Sequence, residues 1–173
     1  MRAQKRLLAL ATAGLDHVHW YEKANAKIAA VCTAMGWDIE RFVSVLAITS
    51  PRVHVSRNWT LAVHYMTHGE AHTQCMRSVV SALTHWEKTG EIRGPKTRAF
   101  AANLLGDLSV VVLDTWVAKA LRVDQAKLLG AFYLKQVAKI KAVAKALDLQ
   151  PAQAQAAIWA GIMREHNNSV REF

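Results

Sequence analysis

The hydrophobic and polar positions of this chain follow helical rather than strand periodicity. Long stretches of Ala, Leu, Lys and Gln, all strong helix formers, are separated by only three prolines and eight glycines. No run alternates apolar and polar residues with period two. The one β-branched cluster, Val110-Val111-Val112-Leu113, is too short and isolated to build a sheet. The fold class is therefore all-α.

Local punctuation places the helices. The pattern predicts helices over 3–13 and 16–35, the second ending at Gly36. Asp38 serves as N-cap for 39–49, and Pro51 breaks the chain. Helices follow over about 56–68, stopped by Gly69, and 70–89, stopped by Gly90. A tight connection, Glu91-Ile92-Arg93-Gly94-Pro95, leads into 96–105 and Gly106. Asp114 opens a helix to about 121, and Asp124 caps a long helix to about 147. Pro151 begins the last helix, 151–165. The chain contains no internal repeats, low-complexity segments or linkers, so a single helical domain over 1–173 is expected.

Composition narrows the partner. The 173 residues are 52% apolar, enough for a core without staples. Lys and Arg number 22 against 13 acids, a net charge of +9, with a pI near 9.9. Such a surplus points first to nucleic acid and second to an anionic membrane surface. No stretch approaches a membrane span. The basic start followed by Leu7-Leu8-Ala9-Leu10 runs into Asp16 and His17, which suits a buried first helix better than a signal peptide. Two cysteines, Cys32 and Cys75, exclude four-cysteine zinc and iron–sulfur sites and fit a reducing compartment.

The informative stretch runs from Glu91 to Val117: turn, helix, Gly-Asp turn, short apolar link, then Asp at a helix start. A glycine-containing turn at a helix N-terminus can present backbone N–H groups to a DNA phosphate. Gly94-Pro95-Lys96-Thr97 and Leu113-Asp114-Thr115-Trp116 carry the chemistry, with Lys96 and Asp114 18 residues apart. Read without a family, Lys96 is equally a solvated first-turn lysine and Asp114 an ordinary N-cap.

This region resembles the helix-hairpin-helix DNA glycosylase superfamily, of the endonuclease III and MutY type. There a glycine-rich hairpin ends in Gly-x-Lys-Thr and an apolar-Asp-Thr-His segment follows. Two departures stand out: Ile92 occupies the hairpin's first glycine position, and Trp116 stands in place of the histidine. The resemblance covers about 38–122, with the hairpin at 90–97; residues 1–37 and 123–173 flank it. Leu46-Ala47-Ile48-Thr49-Ser50 followed by Val55-Ser56-Arg57-Asn58 is similar to the family's early helix and DNA-entering loop.

The resemblance implies a compact glycosylase-like domain and a DNA partner. It implies Lys96 as the amine that attacks C1′ of a flipped-out nucleotide, and Asp114 as electrostatic and acid–base partner. The attacking amine has to be neutral, which partial burial and a cationic neighbour such as Arg93 would favour. Arg93, Gly94, Thr97, Arg98, Arg52, Arg57 and Asn58 become candidate DNA contacts, and Trp116 a candidate wall of the base pocket. The expected activity is DNA glycosylase with AP-lyase chemistry, without metal, cofactor, membrane or obligate protein partner. The expected location is cytoplasmic, near the nucleoid or in a host cell if phage-encoded. Two alternatives remain open: a phage-type base-modifying enzyme on the same fold, and a non-catalytic DNA-binding module.

Other features have plainer readings. His64, His68 and His72 recur every four residues beside Cys75, but Gly69 interrupts the series, so they read as polar histidines rather than metal ligands. Trp59 and Tyr65 read as core. Lys127, Lys135, Lys139, Lys141 and Lys145 form a solvated face, or alternatively a phosphate-tracking one.

Overall fold

The computed structural model describes residues 2–170 and 172–173. Among the described residues there are α-helices and 3-10 turns but no strand. The helices are α1 (Arg2–Ala13), α2 (Trp20–Met35), α3 (Ile39–Thr49), α4 (Val55–His68), α5 (Arg77–Thr89), α6 (Pro95–Leu104), α7 (Thr115–Leu121), α8 (Gly130–Ala146) and α9 (Pro151–Glu165). Backbone packing divides them into two compact units. The first comprises 2–22 and Gly106–Val170. The second comprises Lys23–Leu105 together with 172–173. The stretch 38–122 that carries the family resemblance therefore contributes to both.

In the first unit α9 is the central helix. Ten of its 15 residues are buried, six of them alanine and glycine at Ala154, Ala156, Ala157, Ala160, Gly161 and Ala152. Small side chains let α1 approach closely. A Cβ placed on Gly161 would lie 2.1 Å from the Leu10 carbonyl oxygen, and one on Gly14 2.1 Å from that of Ala157. Leu7, Leu10, Val117, Ile140, Val143, Ile158 and Ile162 fill the core around this seam. The Val111–Leu113 run is buried as irregular backbone rather than sheet. The nearby Leu108 carbonyl accepts the Ala152 N–H at 3.0 Å, satisfying a donor at the start of α9.

In the second unit α3 is the central helix, with Phe42, Val43, Val45, Leu46, Ala47, Ile48 and Thr49 buried. It packs against α4, α5 and α6. Asp38 caps it as the sequence predicts, accepting the Arg41 N–H at 2.7 Å.

Three expected helix starts are later in the structure. Residues 15–17 form a 3-10 turn, and α2 begins at Trp20. Gly69, in the left-handed conformation at φ +72°, ends α4, and α5 begins at Arg77 rather than near 70. Asp124 caps a 3-10 turn, accepting the Ala126 N–H at 2.9 Å, and α8 starts only at Gly130. No helix among the described residues is long and apolar enough to cross a membrane.

Candidate nucleic-acid interface

The second unit contains the α5–turn–α6 segment. Gly90, at φ +71°, closes α5, its N–H donating to the Trp86 carbonyl at 2.7 Å. Four residues later Gly94 takes φ +84° and becomes the N-cap of α6, with Pro95 in the first helical turn. Both glycines occupy backbone that a Cβ disfavours. Gly94, as N-cap, has no side chain with which to accept an N–H of the first turn of α6. Lys96, Thr97 and Arg98 follow on this first turn, Lys96 and Thr97 half-buried and Arg98 exposed.

Lys96 is held rather than extended. Its Nζ donates to Ser50 Oγ at 2.8 Å and lies 5.3 Å from the centre of the Phe100 ring. Ser50, at the C-terminal end of α3, in turn donates to the Ala47 carbonyl at 2.8 Å. Sequence reasoning passed over Ser50 as a partner; its position after an apolar helix and before Pro51 was the only available signal.

The remaining candidates of this unit sit in different settings. Arg93 is exposed, and its guanidinium donates to His85 Nδ1 at 2.9 Å. Arg52 is exposed and holds φ +58°, a strained value for a residue with a Cβ. Half-buried Arg57 donates to the Gln74 side chain. Asn58 departs from its expected place in a DNA-facing loop. Helix α4 starts at Val55, which turns Asn58 inward to 3% exposure. There its amide donates to the Leu46 carbonyl at 3.0 Å and accepts from Thr49 Oγ1 at 2.7 Å. Its polar atoms join α3 to α4 and are not offered to a ligand.

Asp114 and Trp116 belong to the first unit. Asp114 is half-buried and is the N-cap of α7, its Oδ1 accepting the Val117 N–H at 2.8 Å. Trp116 packs against the first unit's core. Its ring lies 5.8 Å from that of His166, and Lys119 Nζ sits 4.1 Å from its centre.

The histidine series clusters. The His64 ring stacks on His68 at 4.3 Å and meets His72 edge-on at 4.8 Å. Desolvation, followed by the neighbouring His68 and His72, lowers the pKa of His64 below the ordinary 6.5. On α8, Lys135, Lys141 and Lys145 are exposed, while Lys139 donates to Gln136 at 2.7 Å.

Fold and site together define an all-α protein whose second unit displays cations beside a glycine-capped helix start. The chain belongs to a family of unknown function (DUF7178), whose model matches residues 9–167. No curated protein and no solved structure matches it.

Proposed function

We propose that this protein is a DNA-binding enzyme of the helix-hairpin-helix glycosylase type. In this reading the α5–turn–α6 segment is the hairpin and receives a phosphate at the N-terminus of α6. Lys96 supplies the nucleophile. The observation that supports this role is its hydrogen bond to Ser50 Oγ at 2.8 Å: a phosphate-tracking lysine extends into solvent, whereas this amine is fixed in place.

The chemistry is that of an amine at a sugar carbon. The neutral Lys96 amine donates its lone pair to C1′, and the C1′–N bond breaks with its electron pair leaving on the base, which takes up a proton. The amine then loses a proton, and its lone pair forms the C1′=N bond of an iminium as the C1′–O4′ bond breaks with its electron pair on O4′, which takes up a proton. Removal of a C2′ proton then expels the 3′ phosphate.

Borohydride trapping on a duplex with an abasic site, together with uracil and 8-oxoguanine duplexes, tests this. We expect a covalent adduct with the wild-type protein that is lost in Lys96→Ala. Affinity for the duplex without adduct or base release would leave only a binding module. Absence of DNA affinity would overturn the reading altogether.

A further inference from the structure

Helix α5 separates its faces sharply. Val79, Leu83 and Trp86 are buried. Arg77, Ser81, Thr84 and Lys88, at spacings of four, three and four, form an outward stripe about 16 Å long. Arg93, beyond the turn, folds back to this stripe through His85. These residues, with Val80, line an open groove of about 520 Å³ within the second unit.

Its chemistry is one-signed. Arg77, Lys88 and Arg93 are exposed, and none forms an ion pair among the described residues. Among the described residues no carboxylate lines the groove. Glu87, the acid of α5, is occupied by Arg41 at 2.5 Å and Tyr65 at 2.9 Å. Glu91 reaches no nearer than 3.9 Å from His85 Nε2. His85 accepts from Arg93 at Nδ1, which orients the guanidinium in advance of any ligand. The Ser81 hydroxyl stands between the charges and adds a donor suited to phosphate oxygens, while that of Thr84 donates to the Val80 carbonyl at 3.0 Å. Val80 is the one aliphatic side chain that lines the groove among the described residues, so the groove lacks the apolar lining of a small-molecule pocket.

We propose that this groove holds the phosphodiester backbone of one DNA strand, extending the contact made at the α5–turn–α6 segment. The proposal rests on the DNA-binding reading above. Arg77 and Lys88 lie outside the turn, so their contribution is separable from it.

Duplex affinity measured across a salt series tests the groove with Arg77→Gln/Lys88→Gln against an equal charge removal on α8, Lys135→Gln/Lys145→Gln. We expect the groove variant to weaken binding about equally on all sequences. The slope of log K against log salt should become shallower by about 1.8, two phosphate contacts' worth. The α8 variant should keep the wild-type slope. Wild-type affinity and slope in the groove variant would overturn the groove while leaving the turn intact. An equal change in both variants would assign the effect to net charge and overturn it too. Displacement of DNA by polyglutamate as readily as by competitor DNA would assign the groove to acidic protein. A wild-type chain without DNA affinity would overturn both proposals.

Discussion

Lys96 and Ser50 form a relay onto helix α3: Lys96 Nζ donates to Ser50 Oγ at 2.8 Å, and Ser50 Oγ donates to the Ala47 carbonyl at 2.8 Å. The amine of α6 is thus referenced to the central helix of its unit. Ser50→Ala removes the acceptor without touching the amine. Under the proposed chemistry it should slow adduct formation by about ten- to a hundredfold while leaving duplex affinity unchanged. Lys96→Arg should keep the affinity and give no adduct. Equal trapping rates for Ser50→Ala and wild type would separate the hydrogen bond from reactivity.

The α1–α9 seam should resist enlargement. A Cβ on Gly161 would stand 2.1 Å from the Leu10 carbonyl oxygen, so the helices must separate to admit it. Gly161→Ala is expected to cost about 3 kcal/mol and to lower the melting temperature by about 6–12 °C. Gly14→Ala should act similarly, since its Cβ would meet the Ala157 carbonyl. Unchanged melting in both would show that the seam has room.

Tyr65 gives the second unit an alkaline limit. Burial, and then its hydrogen bond to Glu87, raise its pKa to about 12. The folded state therefore favours the neutral phenol. Its contribution to stability is complete below the ordinary value of 10 and is lost as pH climbs from 10 towards 12. A tyrosinate absorbance titration should show a late component that is diminished in Tyr65→Phe. Titration of every tyrosine near pH 10 in the folded protein would contradict the assignment.

Asn103 is fully buried on α6, and neither its Nδ2 nor its Oδ1 finds a hydrogen-bond partner among the described residues. Unmet buried amide groups cost about 1–3 kcal/mol, and replacement by an apolar group of similar shape removes that cost. Asn103→Leu should raise the denaturant midpoint. A fall in midpoint of the size expected for a broken buried hydrogen bond would mean that the amide is satisfied in solution.

Several helix ends were legible where one residue supplied the starting or stopping chemistry, although Asp124 caps a 3-10 turn rather than α8. Asp38 before α3, Gly69 after α4, Gly90 after α5 and Pro151 opening α9 all act where their types predict. Starts that lack a side-chain cap, such as Met76 before α5 and Leu129 before α8, were invisible because tertiary packing sets them. The site was legible only in part. The turn at Gly94 and the cap at Asp114 could be read from local motifs. The inward turn of Asn58 could not, because it depends on the first turn of α4 meeting α3. The cationic stripe on α5 was also missed: Arg77 and Lys88 look like ordinary solvated positions until Arg93 is folded beside them.

The alanine-rich character of α9 bears on how the first unit opens. Alanine and glycine give up almost no rotamer freedom when buried, so this helix is ordered at little side-chain entropy cost. It also lies at the centre of its unit, with ten of 15 residues buried. Its amides should be the slowest in the first unit to exchange with solvent hydrogen, and α9 the last helix there to be released during unfolding.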